Sequence, residues 1–169
     1  MPTLEQIQQQ IKQASGLDSS LWKREVKELP SILTETEAVE AILQGVYGNN
    51  LGVFVATMSR ILFVDKGMFG GLKVEEFHYE KISSVQFETG LIQGKLKIFT
   101  SGNTAEITNC DKRLVRLFAE YVQGRLSAPK VSPDSGGDVL EKLERLAKLK
   151  EQGILSDEEF QQQKAKILA

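Results

Sequence analysis

Cysteine and histidine are almost missing: the 169 residues hold one of each, Cys110 and His78. A single thiol cannot close an intrachain disulfide or build a metal cluster by itself. A single imidazole removes most histidine-based catalysis and metal ligation. Long apolar runs are missing too. The longest, residues 51–56 and 60–64, are strand length, far short of the roughly 18 residues that a spanning helix needs. Neither charge sign is in excess: 21 basic residues face 23 acidic ones, for a net charge of −2. Both signs are spread along the chain, so there is no polybasic arm and no electrostatic footprint for nucleic acid or for an anionic membrane. Met1-Pro2-Thr3 leads into a glutamine-rich helix and lacks the basic start and apolar stretch of a signal peptide. With the single cysteine, that gives the expectation of a cytoplasmic protein.

What is present is the material of a globular domain, 41% hydrophobic and 26% charged. The sharpest break in composition is residues 127–137, where two prolines, two glycines and three serines accompany one large apolar side chain, Val131. Such a stretch cannot bury a core and reads as a linker. The expected organisation is an N-terminal helical segment over 1–30, a main domain over 31–127, a flexible linker over 128–137 and a helix hairpin over 138–169.

The main domain has β texture from Glu37 to Asn109. Residues 51–57 and 60–65 are rich in β-branched and aromatic side chains, with Met58-Ser59 between them as a tight hairpin link. A glycine-flanked turn, Lys66-Gly-Met-Phe-Gly-Gly-Leu72, leads into Lys73–Tyr79. Val85-Gln-Phe-Glu88 precedes the turn Gly90-Leu-Ile-Gln-Gly94. In Lys95-Leu-Lys-Ile-Phe-Thr100 the apolar Leu96 and Ile98 alternate with Lys95 and Lys97. Ser101-Gly-Asn103 turns the chain into Thr104–Thr108. Thr34 and Glu37 have capping-box spacing, and the expectation for residues 38–47 is one helical turn followed by a strand. Asp111 caps a final helix in which Leu114, Leu117, Phe118, Tyr121 and Val122 share one face. At the other end, Thr3-x-x-Gln6 caps a helix with Leu4, Ile7 and Ile11. Leu21, Trp22, Val26 and Leu29 suggest a second helix, stopped by Pro30. These N-terminal helices either pack on the strands or serve self-association.

Seven strands closed by a helix form an α+β, mainly β architecture, an antiparallel barrel capped at one end. The order matches a pleckstrin-homology (PH) fold. Lys27-Glu-Leu-Pro-Ser-Ile-Leu33, Ala56-Thr-x-x-Arg60-x-Leu62-Phe-Val-Asp65-Lys-Gly, Phe77-x-Tyr79-x-Lys81-Ile82-Ser-Ser-Val85 and Gly94-x-Leu96-x-Ile98 together resemble the bacterial YokE-like PH family over residues 25–126. The resemblance implies a PH-like barrel that mediates contacts between PH domains. A phosphoinositide-binding PH domain carries basic residues in its first hairpin loop. Tyr47-Gly-Asn-Asn50 carries none, which argues against that ligand.

The C-terminal piece is the most regular. After Asp138, leucines at 140, 143, 146 and 149 make an apolar stripe continued by Ala147, and Gly153 ends the helix. Ser156-Asp-Glu-Glu159 is a capping box with Leu155 and Phe160 placed as its hydrophobic staple, and Ile167 and Leu168 close the second helix. Leu143-x-x-Leu146-x-x-Leu149-x-x-x-Gly153-Ile-Leu-Ser156-Asp-Glu-Glu-Phe160-x-x-x-Lys164 resembles the SHOCT (short C-terminal) domain. A hairpin of thirty residues with neither disulfide nor metal is below the roughly 40 residues at which a domain usually persists alone, so its stripe needs a covering surface. That surface is another copy, the parent domain or a foreign partner.

The functional expectation is a non-enzymatic interaction or scaffold protein without cofactor or metal. It works as a homo-oligomer or with a protein partner, through Leu143, Leu146, Leu149, Leu155, Phe160 and Leu168. The tip Met68-Phe69 is a second candidate contact, packed on its own barrel, against a protein or against lipid. Lys66 and Lys73 flank it as candidate anion contacts, and the four residues together define the alternative, a peripheral membrane adaptor. His78 reads as a surface imidazole and Cys110 as a packed thiol. Glu75 and Glu76 point to opposite faces of a strand and make no acid–base pair.

Overall fold

A computed structural model describes residues 1–67, 70–128 and 160–161. The chain divides into two compact units, Met1–Ala128 and Pro129–Ala169. In the first, α1 (Leu4–Ser15), a 3-10 turn (Ser19–Trp22), α2 (Lys23–Val26) and α3 (Leu29–Ile32) precede seven strands. These are β1 (Ala41–Tyr47), β2 (Asn50–Ala56), β3 (Arg60–Lys66), β4 (Leu72–His78), β5 (Ile82–Thr89), β6 (Gly94–Thr100) and β7 (Thr104–Cys110), followed by α4 (Lys112–Ser127). The strands form one antiparallel sheet in the order β4-β3-β2-β1-β7-β6-β5. This is the PH-like arrangement, with β4 and β5 at the two edges.

The two halves of the sheet differ in a way that the sequence pattern explains. Along β6, Leu96 and Ile98 are buried while Lys95 and Lys97 stand on the outer face, bridged to Glu106 of β7 at 3.2 and 3.6 Å. That half has one wet face, hence strict alternation. In β2 and β3 both faces are buried. Phe54, Phe63, Tyr47 and Phe77 cluster on the inner face, with Phe54–Phe63 centroids 4.8 Å apart and Tyr47 edge-on to Phe63 at 5.2 Å. Val53, Val55, Leu62 and Val64, on the opposite face, are equally buried. The N-terminal helices cover that face, α1 against β1 and α2 against β3. Ile7, Ile11, Trp22, Val26 and Leu29 therefore join the same core as the strands. Gln10 Oε1, accepting from Val39 N at 3.0 Å, ties α1 to the approach to β1.

Glycine permits the close packing of the inner face. A Cβ on Gly52 would lie 2.4 Å from Phe63 Cε2 and 2.8 Å from Val64 O, so the Phe63 ring occupies the space a side chain would fill.

Asp111 caps α4, its Oδ1 accepting from Arg113 N and Leu114 N at 2.9 Å. Leu114, Val115, Phe118, Ala119 and Val122 are buried as α4 packs on β5, β1 and β6. Leu117, expected on the buried face, is instead exposed, and Val115 takes its place. The stripe turns Val115 inward where β6 approaches the helix closely at Gly94, at which a Cβ would come within 2.6 Å of Val115 Cγ1.

Two local expectations are corrected. Residues 19–32 do not form one helix stopped by Pro30. They form three short pieces, and Pro30 lies in the first turn of α3, where its missing N–H leaves no hydrogen bond unmade. Breaking the helix lets Trp22 turn inward while Leu21 points to water. The helical turn expected near Thr34 is a hydrogen-bonded turn, with Glu37 N donating to Thr34 O and Thr34 N donating to Glu37 Oε2 at 3.0 Å. No helix follows it: residues 38–40 lead into β1, and the Glu37 carboxylate is held by Arg60.

Candidate functional site

The densest polar assembly in the first unit surrounds the link Thr57-Met58-Ser59 between β2 and β3. Arg60, the first residue of β3, donates from Nε to Glu37 Oε1 at 2.9 Å and from Nη2 to Glu37 Oε2 at 2.8 Å. Its Nη1 meets Glu76 Oε1 at 2.6 Å, and Nη2 also reaches Ile32 O at 3.2 Å. Ser59 Oγ donates to Glu37 Oε1 at 2.7 Å, and Thr57 Oγ1 lies 3.1 Å from the same oxygen. Burial by itself would raise the Glu37 carboxyl. The Arg60 guanidinium, the Thr34 N–H and the Ser59 hydroxyl outweigh it and bring the carboxyl down to about 2.

The same link is held from the other side. Thr57 O accepts from Tyr79 Oη at 2.7 Å and from Tyr121 Oη at 3.2 Å, and Met58 O accepts from Arg125 Nη2 at 2.6 Å. Burial pushes both phenols up, Tyr121 to about 12. They stay protonated donors. The assembly joins α3, β2, β3, β4 and α4 at one point, and it is a structural clamp: each charge is spent on a neighbour.

The residues singled out by sequence fall as follows. Lys66 Nζ pairs with Glu28 Oε1 at 2.9 Å, and its carbonyl accepts from Arg24. Lys73 Nζ sits 5.8 Å from the Tyr47 ring centroid and 5.9 Å from that of Phe63. The structure thus gives each lysine a partner of its own and does not bring the two together on a shared ligand position. Met68 and Phe69 lie outside the described residues, as do Leu143, Leu146, Leu149, Leu155 and Leu168. Phe160 is helical and half-buried.

Glu75 accepts from Tyr47 Oη at 2.9 Å, whereas Glu76 pairs with Arg60 and lies 3.5 Å from His78 Nε2. The two carboxylates serve different partners. Burial raises the Cys110 thiol to about 12, with Asp111 adding to the effect, so it is a packed, protonated group. Among the described residues no group of three or more His, Cys, Asp and Glu side chains is placed to hold a metal ion. No helix among them is long and apolar enough to cross a membrane.

Sequence reasoning passed over two features. One is the Arg60–Glu37 pair. Its signal was an arginine opening the apolar run of β3 and a glutamate just ahead of β1. The other is the turn between β5 and β6, where Leu91 and Ile92 are 96% and 83% exposed. Its signal was a pair of adjacent large aliphatics inside a glycine-bounded turn.

Fold and sequence converge on one family. A family profile described as Bacterial PH domain matches residues 33–124, more than half of the sequence, and the chain belongs to that family. A second profile, Short C-terminal domain (SHOCT), matches residues 141–168. The finer YokE-like grouping is an expectation from the sequence. Among solved structures the chain is similar to a pleckstrin homology domain from Shewanella amazonensis, at 23% identity over 59% of this chain and 93% of that one, TM-score 0.45. It is also similar to a protein with a pleckstrin-homology domain from Shewanella loihica, at 20% identity over 62% and 96%, TM-score 0.44. A third likeness is to the C-terminal domain of an unknown protein from Leishmania infantum, at 10% identity over 64% and 98%, TM-score 0.44. No curated protein matches the chain. PH and SHOCT domains are non-catalytic families, common as interaction modules, and together they suggest a protein-interaction or adaptor role.

Proposed function

We propose that this chain is a non-enzymatic scaffold that assembles with itself or recruits a protein partner, its PH-like unit supplying a rigid body and its SHOCT hairpin the contact. The carrying observation is the pairing of two interaction modules in one chain, with the leucine stripe of the second at the spacing of an amphipathic helix. A thirty-residue hairpin cannot bury that stripe within itself, so Leu143, Leu146, Leu149, Leu155, Phe160 and Leu168 form the contact face. Joined by residues 128–137 acting as a linker, the hairpin raises the local concentration of whatever the first unit binds.

Molar mass by light scattering tests this on the full chain, on a chain stopped after Ala128 and on the full-length Leu146→Asp variant. A multimer that becomes a monomer in both altered forms makes the hairpin the assembly device. Multimers throughout move assembly to the PH-like unit. Monomers throughout remove self-assembly and leave docking on the parent domain or recruitment of a foreign protein.

A further inference from the structure

Where α1 gives way to the 3-10 turn, the N-terminal helices enclose a hollow of about 260 Å³, lined by Gln8, Lys12, Asp18, Ser19, Ser20 and Lys23. Local chemistry builds its walls. Gln8 and Lys12 are four residues apart and share one face of α1. Gly16, at φ +70°, ends the helix in a left-handed cap, its N–H donating to Lys12 O at 2.9 Å, and the chain turns back. Asp18 then caps the 3-10 turn, its Oδ1 accepting from Ser20 N at 2.8 Å. Trp22, 2% exposed, anchors that turn in the core, and Lys23 opens α2 beside it.

Two observations set this hollow apart from an ordinary solvated surface. Ser19 is only 6% exposed, yet its hydroxyl makes no hydrogen bond among the described residues. Since no fully enclosed side-chain oxygen or nitrogen among them lacks a partner, the Ser19 oxygen opens to the hollow that the residue lines. A hydroxyl so placed gains from a ligand acceptor, because few waters can reach it. The second observation is charge. Neither Lys12 nor Lys23 forms an ion pair among the described residues. Asp18 is spent on Ser20, whose N–H and hydroxyl hold its carboxyl below the usual range, with the Lys12 charge adding to them. Two cations against one anion leave the lining with one positive charge in surplus.

We infer that this hollow binds a small organic carboxylate, its oxygens shared among Lys12, Lys23 and the Ser19 hydroxyl. One negative charge matches the surplus, whereas a phosphate dianion would leave a net negative charge beside Asp18. The volume lies just below the range of drug-sized pockets, which suits a molecule of metabolite size. The Gln8 amide, both donor and acceptor, remains for a polar group on the same molecule. The site falls outside residues 33–124 and is independent of the scaffold reading, since it involves neither the hairpin nor assembly.

Titration of the isotope-labelled full-length protein with sodium acetate, lactate and benzoate, at constant ionic strength, tests the inference by amide chemical shifts. Saturable shifts centred on residues 8–23, with half-saturation in the millimolar range for at least one carboxylate, are the expected result. Inorganic phosphate should bind more weakly and chloride not at all. Lys12→Gln with Lys23→Gln should weaken binding about tenfold or more, and Ser19→Ala about fivefold. Retention of wild-type Trp22 emission by each variant shows that folding is intact. Absence of a saturable shift with all three carboxylates overturns the inference. So does equal binding by wild type and the lysine variant, or the same shifts produced by chloride alone.

Discussion

Arg60 and Glu37 form a two-bond fork, Nε to Oε1 at 2.9 Å and Nη2 to Oε2 at 2.8 Å, with only 14% and 5% of the two side chains exposed. The pair joins the segment before β1 to the first residue of β3, and Glu76 and the Ile32 carbonyl complete the coordination of the guanidinium. Breaking a pair of this kind costs more than its net worth, because the remaining charge stays buried without its partner. Glu37→Ala is expected to lower stability by about 3 kcal/mol, read as a reduced urea midpoint with an unchanged slope.

The same carboxylate sets an acid dependence. Its folded value of about 2 lies below the usual 4.5, so its contribution is fully present above 4.5 and is lost as pH falls toward 2. The melting temperature of the wild type should drop across that window. Glu37→Gln should start lower and show a flatter profile there, whereas a parallel profile would assign the acid sensitivity to another group.

Close packing at Gly52 predicts a steep cost for one methyl group. Gly52→Ala puts carbon 2.4 Å from the Phe63 ring and 2.8 Å from the Val64 carbonyl, and is expected to destabilise by about 1–3 kcal/mol. Gly102→Ala, which meets nothing within 4 Å, should leave thermal unfolding almost unchanged.

Cys110 should behave as a reporter of unfolding. With the residue 1% exposed and its thiol pushed up to about 12, a maleimide or disulfide reagent at neutral pH should label it only as denaturant opens the core. Prompt stoichiometric labelling of native protein would contradict the packing described.

The N-terminal helices should unfold together with the sheet. Ile11, fully buried, and Trp22, 2% exposed, share one core with the strands, so Ile11→Ala is expected to cost about 2–5 kcal/mol. The transition followed by Trp22 fluorescence should coincide with the loss of strand signal in circular dichroism. An earlier fluorescence transition would mean that the helices detach first.

Legibility tracked how local the deciding interaction was. The alternation of Leu96 and Ile98 with Lys95 and Lys97, the Asp111 cap and the glycine-bounded turns each depend on a few consecutive residues, and strand order and the final helix could be read from them. The Leu91–Ile92 turn was legible as a turn, but nothing in five residues says how far its side chains stand clear of the first unit.

What the sequence by itself determined is the inventory: an α+β chain with seven strands, a closing helix and two modules joined at a proline- and glycine-rich stretch. Periodicity and punctuation carry that information because backbone geometry repeats over two or 3.6 residues. What only the tertiary structure decided is who meets whom. It set Arg60 against Glu37, 23 residues apart, and gave Lys66 to Glu28 rather than to an external anion. It turned α4 so that Val115 is buried and Leu117 exposed, and it covered the second face of β2 and β3 with the N-terminal helices. These outcomes depend on how whole elements pack, including the close approaches at Gly52 and Gly94 that leave no room for a Cβ, and no short stretch of sequence contains that fit.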